Sequence, residues 1–212
     1  MEKLLEQSIW IQHADLFERD PYLSDNGRRL IANAARMIAD EGLDAFTLKK
    51  LAQECGVTEP TVYRYFNNKI LLCAYLCSIH WTWRQWQVVI ATSNLKSGKK
   101  KLMKVAEIFL ADLSNEGVLQ GIKCKYLTRI VEREWTRLLH PLHYKPAITI
   151  TFDQLVERLY ILVREANPNF AFHKDFAFML PELCFYNYPS AGSASSVRRH
   201  SLKFINHLID QL

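Results

Sequence analysis

Two short helical segments that meet at Gly56 constrain the fold of this chain more than any other feature. Apolar residues recur at helical spacing from Leu48 to Cys55, and Thr47 can cap the start of that helix. Gly56 can adopt the positive φ of a tight reversal, and Thr58 can then cap the next short helix, which runs through about residue 65. Two helices joined by such a turn predict a helix-turn-helix unit.

The rest of the chain also follows a helical period, with almost none of the alternation typical of strands. Helices are predicted over about 24–41, 69–93, 100–114, 118–139, 150–166, 172–187 and 195–211. The 212 residues therefore predict an all-α protein with three parts. These are an N-terminal arm (1–20), a three-helix helix-turn-helix domain (21–68) and a larger helical domain (69–212).

Composition narrows the class of protein. The chain is 49% hydrophobic, which is enough for a core, and its five cysteines show no CxxC spacing. This pattern favours a reducing, intracellular setting over a disulfide framework. The longest mostly apolar run, Ile70–Ile79, is too short for a membrane span, and the first residues lack the features of a signal peptide. We therefore expect a cytoplasmic protein without a membrane partner.

No arrangement of residues nominates a catalytic site or a cofactor site. The sequence contains no paired nucleophile and base and no Gly-rich phosphate loop, so we expect neither enzymatic activity nor a cofactor. Cys73, Cys77 and His80 share one helical stripe and could in principle hold a metal or sense oxidants. Buried cysteines usually act as small hydrophobic residues, and one straight helix offers poor tetrahedral geometry, so no metal site is predicted.

The stretch from Thr47 to Lys69 resembles the DNA-binding domain of tetracycline-repressor-type (TetR-like) regulators. The positions that match at the family's spacing are Thr47, Leu51, Ala52, Gly56, Val57, Thr61, Val62, Tyr63, Phe66 and Lys69. The motif covers residues 25–72, and beyond it the match is a helical remainder of the usual length. The resemblance implies double-stranded operator DNA as a partner, a small-molecule effector and a homodimer.

The predicted DNA contacts combine this resemblance with the chemistry of helix starts. Thr47, Thr58 and Lys69 begin three successive helices, where free N–H groups and the helix dipole favour a phosphate. The first residues of the second helix of such a unit face base edges in the major groove. The predicted set is Thr47, Lys49, Thr58, Glu59, Pro60, Thr61, Tyr63, Tyr65 and Lys69. Pro60 and the two tyrosines also fit purely structural roles.

The regulatory part is predicted from its aromatic and apolar residues. A pocket among the helices after residue 69 is implied by the family, and its predicted ligand contacts are Trp83, Trp86, Phe109, Trp135 and Phe152. Apolar stripes on the last two helices suit a four-helix dimer interface, although they could instead close the monomer's own core. The predicted interface residues are Phe176, Met179, Leu183, Phe204, Ile205, Leu208 and Ile209.

These features predict a ligand-responsive transcriptional regulator of the repressor type. It would bind a pseudo-palindromic operator as a dimer and be released by a small apolar or aromatic molecule. An activator, a ligand-independent DNA-binding regulator, and a helical interaction protein without DNA binding are the alternatives. The net charge of +5 does not decide between them, because residues 21–72 carry seven basic and six acidic side chains.

Overall fold

A computed structural model describes residues 16–111, 117–119, 121–140, 146–185 and 194–212. Nine α-helices lie within this part of the chain: α1 Asp25–Glu41, α2 Leu48–Glu54, α3 Glu59–Tyr63, α4 Lys69–Thr92, α5 Gly98–Leu110, α6 Cys124–Leu138, α7 Pro146–Ala166, α8 His173–Phe185 and α9 Ala194–Gln211. A short 3-10 helix, Pro21–Leu23, precedes α1. The predicted all-α class is confirmed.

The largest error in the predicted helix boundaries lies at residue 118. The helix expected from residue 118 begins at Cys124, and two short antiparallel strands precede it, β1 Val118–Leu119 and β2 Ile122–Lys123. Leu119 pairs with Ile122, and Gly121 turns the chain at a φ of 82°. Strands of two residues are too short to show a period in sequence, so the helical pattern extends over them.

The chain forms two compact units. The first comprises Met1–Thr82 and Leu113–Thr151, and the second comprises Trp83–Asp112 and Phe152–Leu212. These units do not follow the chain order of the predicted domains, whose boundary at residues 68 and 69 stays a prediction.

Helix α1 is fixed by its ends and by one buried stripe. The hydroxyl of Ser24 accepts a hydrogen bond from the N–H of Gly27 at 3.1 Å, which caps the start of the helix. Gly42 ends it at a φ of 83° and donates to the carbonyl of Ile38. The stripe predicted from sequence is buried: Leu30, Ile31, Ala34, Ala35 and Ile38. Helix α6 packs against α1 in this same unit.

The second unit has its own core. Helix α5 packs against α8 and α9. Gly98, the first residue of α5, lies so close to the end of α7 that a Cβ there would be 2.4 Å from the backbone nitrogen of Ala166. Two lysines at the start of α5 bond to other helices of this unit. Lys101 forms an ion pair with Glu165 of α7 at 2.5 Å, and Lys99 donates to the carbonyl of Asp210 in α9.

Candidate DNA-binding surface

The helix-turn-helix has the two short helices and the glycine turn that its sequence predicts. Thr47 caps α2, with its hydroxyl accepting from the N–H of Lys50 at 3.1 Å. Gly56 turns the chain at a φ of 63°, and α3 begins one residue after Thr58. Leu51, Val62 and Phe66 are fully buried and form the core that holds α2 against α3. The unit therefore presents the start of α3 on a rigid base.

The first residues of α2 and α3 are accessible to a partner. Thr47, Lys49, Thr58 and Pro60 are exposed, and Glu59 and Thr61 are half-buried. Thr58 does not cap α3 with its side chain as predicted, because its hydroxyl shares a hydrogen bond with the hydroxyl of Thr61 at 2.9 Å. These two hydroxyls therefore form a small polar edge at the start of the predicted recognition helix.

The two predicted contact tyrosines lie in different environments. The side chain of Tyr63 is on the last turn of α3 and is 48% exposed. Tyr65 lies beyond the end of that helix, is only 4% exposed, and shares a hydrogen bond with the hydroxyl of Ser24 at 2.8 Å. The structure therefore argues against a DNA contact by the Tyr65 ring, whereas Tyr63 remains open to one.

Lys69 also has protein partners. Its ammonium group donates to the carbonyl of Leu43 at 2.7 Å and lies 3.3 Å from the carbonyl of Phe46. Both carbonyls belong to the loop that joins α1 to α2. The sequence predicts a phosphate contact for Lys69, and the structure places it where it holds this loop.

The loop between α1 and α2 is also held by ion pairing. The guanidinium of Arg137 lies 2.7 Å from the carboxylate of Asp44. Its hydrogen bond and positive charge hold the pKa of Asp44 below its usual value. Asp44 is exposed, so we assign this pair a modest role in stability.

The end of the N-terminal arm packs against the end of the helix-turn-helix and against α4. Leu16 is fully buried, and the ring of Phe17 packs edge-on against Tyr75 with 5.8 Å between ring centres. The N–H of Glu18 donates to the carbonyl of Tyr65 at 2.9 Å. The sequence alone suggests an accessory arm, and its apolar residues are the signal for this packing; residues 1–15 lie outside the described residues.

The cysteine and histidine stripe has the character of a core. Cys73, Cys77 and His80 are fully buried. Burial raises the pKa of the Cys77 thiol well above its usual value, and the hydrogen bond between this thiol and Cys73 acts in the same direction. No group of three or more metal-ligating side chains that could hold an ion occurs among the residues the structure describes. A neutral buried thiol is a poor oxidant sensor.

The predicted ligand contacts fall in both units. Trp135 belongs to the first unit, where its ring meets that of Trp81 with 5.3 Å between centres. The other four belong to the second unit; Phe109 and Phe152 are buried, and Trp83 and Trp86 are half-buried. Each of these assignments stays a prediction.

Sequence reasoning missed a buried arginine among the aromatic residues of the second unit. Arg84 is completely buried and donates to the carbonyl of Ile108 at 3.1 Å. Its guanidinium lies 4.6 Å from the ring centre of Trp83 and 5.5 Å from that of Phe109. Apart from Lys69 at its first position, Arg84 is the only Lys, Arg, Asp or Glu in α4, and a lone charge among so many aromatic residues is the signal that could have found it.

The predicted dimer residues divide into two groups. Ile205 and Ile209 are buried within the second unit, so they belong to the chain's own core. Met179 and Phe204 are 51% and 52% exposed, and Phe176, Leu183 and Leu208 are half-buried. The accessible part of the predicted interface is therefore smaller than the sequence suggests.

The described residues contain no helix that is both long and apolar enough to cross a bilayer.

The exposed start of α3, on a buried core formed with α1 and α2, is the arrangement of a helix-turn-helix domain. Residues 30–73 match the family model described as bacterial regulatory proteins, tetR family. An uncharacterised HTH-type transcriptional regulator of Mycobacterium bovis is 28% identical over 89 residues, which cover 42% of this chain and 47% of that protein. One of Mycobacterium tuberculosis is 35% identical over 57 residues, covering 27% and 30%. The matched segment thus spans less than half of either relative.

Solved structures extend the likeness in fold to most of the chain. A tetR-family regulator of Rhodococcus RHA1 superimposes with a TM-score of 0.66 at 14% identity, covering 88% of this chain and 97% of that one. AibR in complex with isovaleryl coenzyme A and operator DNA gives a TM-score of 0.62 at 15% identity, covering 87% and 97%. The TetR-like resemblance is confirmed: the chain has the N-terminal domain of the tetR family and a TetR-like fold over most of its length. The matched proteins are regulators rather than enzymes, as expected for this chain.

Proposed function

We propose that this chain is a ligand-responsive transcriptional repressor that binds a pseudo-palindromic operator as a homodimer. The observation that carries the proposal is the exposure of polar side chains at the starts of α2 and α3, where Thr47, Lys49 and Thr58 are accessible. Such hydroxyls and amines suit phosphate and base-edge contacts. A regulator of this kind works where the DNA lies, which supports a cytoplasmic location.

The expected ligand is a small molecule with an apolar or aromatic body. Trp83, Phe109 and Phe152 supply aromatic surface in the second unit. AibR, which shares the fold, is known in complex with isovaleryl coenzyme A and operator DNA. The effector would bind more tightly to a conformer with misplaced recognition helices and so lower the affinity for DNA.

DNA binding is tested by titrating the purified protein onto the intergenic DNA upstream of its own gene. We expect selective binding over a scrambled duplex of equal length, with an affinity that falls as salt rises. Equal affinity for the two duplexes at moderate salt would refute the proposal. Promoter output with and without the protein then separates a repressor from an activator.

Dimerisation would use the exposed apolar residues of α8 and α9. Phe176, Met179 and Leu183 are spaced as one helical stripe, and Phe204 is exposed on α9. Charge at the centre of this face should dissociate the dimer, so Met179→Glu should sediment as a monomer. Ile161→Glu is the matched control, because Ile161 is 50% exposed on α7 outside the predicted interface. A dimer that survives Met179→Glu unchanged would place the interface elsewhere.

A further inference from the structure

Three arginines on α6 engage the end of α1 and the loop that follows it. They are spaced by four residues, and therefore share one face of the helix: Arg129, Arg133 and Arg137. Arg129 lies 3.6 Å from the carboxylate of Asp40, and Arg133 donates to the carbonyl of Ala39 at 3.1 Å. Positive charge at a helix C-terminus is favourable, because the last carbonyls carry partial negative charge.

A buried glutamate lies on the same region of α6. The side chain of Glu134 is 9% exposed, and its Oε1 accepts a hydrogen bond from the N–H of Leu43 at 3.1 Å. Its other oxygen lies 3.9 Å from the guanidinium of Arg137. Leu43 is the second residue after α1, and its side chain is fully buried. The carboxylate therefore holds the first part of the loop from the α6 side.

Both backbone groups of Leu43 are held by side chains from other helices. Its N–H donates to Glu134 on α6, and its carbonyl accepts from Lys69 at the start of α4. Gly42, which precedes Leu43, takes a φ of 83°, and a Cβ there would lie 2.9 Å from the guanidinium of Arg133. The same loop ends at Thr47, the cap of α2. Its path therefore sets where the helix-turn-helix begins.

We propose that Glu134 is a positioning residue for DNA binding: its hydrogen bond to the Leu43 N–H fixes the loop that leads into the helix-turn-helix. This inference rests on the proposed DNA-binding function and extends it to a residue 91 positions away in sequence. It concerns the orientation of the contact residues and not their charge. Selective binding should therefore depend on Glu134 more strongly than nonselective binding, which follows phosphate contacts.

The test compares three full-length variants with the wild-type protein. Glu134→Ala removes the acceptor for the Leu43 N–H, whereas Glu134→Gln keeps an amide oxygen in nearly the same place. Glu157→Ala is the matched control, because Glu157 is an exposed glutamate on α7. Affinity is measured on the upstream intergenic duplex and on a scrambled duplex, well below the melting temperature of each variant. Hydrogen exchange at the Leu43 amide reports the state of the loop.

Coupling between distant sites typically changes affinity about 5- to 150-fold. We expect Glu134→Ala to bind the upstream duplex about tenfold more weakly or worse, to change little on the scrambled duplex, and to exchange the Leu43 amide faster. Glu134→Gln should stay within about threefold of the wild-type affinity, as should Glu157→Ala. Rescue by glutamine separates a lost hydrogen bond from a general loss of stability.

Two results overturn the inference. In the first, Glu134→Ala keeps the wild-type affinity for the upstream duplex although its Leu43 amide exchanges rapidly. In the second, Glu134→Ala and Glu134→Gln lose the same affinity on both duplexes. Neither result touches the proposed function. A wild-type protein that shows no preference for the upstream duplex refutes the proposed function itself, and this inference falls with it.

Discussion

Tyr63 and Tyr65 form a matched pair that separates a DNA contact from a structural hydrogen bond. Each can be changed to phenylalanine, which removes one hydroxyl and leaves the ring. The hydroxyl of Tyr65 bonds to Ser24, the residue that also caps α1, and its ring is buried. The ring of Tyr63 is 48% exposed at the end of α3. We therefore expect the two variants to fail in different assays.

The magnitudes follow from the hydrogen bonds that each change removes. Loss of the Tyr65 bond should cost about 0.5–1.5 kcal/mol of unfolding free energy. For a chain of this size that lowers the melting temperature by roughly 2–4 °C for each 1 kcal/mol. Tyr63→Phe should leave stability within about 0.5 kcal/mol, as for most surface changes. It should weaken DNA binding roughly tenfold if the hydroxyl donates to a phosphate, a loss of about 1.4 kcal/mol.

The assay pairs urea unfolding with titration of the upstream duplex. Tyr65→Phe should shift the urea midpoint and leave the salt dependence of DNA binding unchanged. Tyr63→Phe should leave the urea midpoint unchanged and weaken DNA binding. The reasoning would be refuted by a stable Tyr65→Phe variant that loses DNA affinity, because that result would make the buried hydroxyl a DNA contact.

Two further substitutions and one chemical probe test other parts of the structure. Lys69→Ala should lower the urea midpoint and keep the salt slope of DNA binding, because its ammonium group bonds to loop carbonyls; a slope smaller by about one unit would instead show a phosphate contact. Gly27→Ala should cost about 1–3 kcal/mol of unfolding free energy, since its Cβ would meet the Pro21 carbonyl oxygen at 2.0 Å; an unchanged urea midpoint would contradict that packing. Cys73 and Cys77 are fully buried, so both thiols should react with a disulfide reagent only after unfolding; fast reaction in the native protein would contradict their place in the core.

Local signals make the helix-turn-helix predictable. Ser24, Gly42 and Gly56 are short-range signals, because a cap or a positive φ depends on a few neighbouring residues. The buried positions of Leu51 and Val62 follow in the same way from helical spacing. The class of fold and the start of the candidate surface therefore follow from the amino-acid sequence alone.

The roles of individual side chains depend on residues far away in sequence. Tyr65 lies beyond α3, and its partner Ser24 is 41 residues away, so spacing alone could not distinguish it from Tyr63. Lys69 bonds to the carbonyl of Leu43, 26 residues away, and Glu134 bonds to the same residue from 91 residues away. Long-range contacts of this kind leave no periodic signal in one sequence.

Hydroxyl-radical footprinting on the upstream intergenic DNA tests the central claim most directly. The account predicts protection with two-fold symmetry, in two half-sites whose centres lie about one DNA turn, ~34–36 Å, or somewhat more, apart. That pattern requires a dimer that presents the starts of two α3 helices to the major groove. Protection of a single half-site, or protection that is the same on scrambled DNA, would contradict the account.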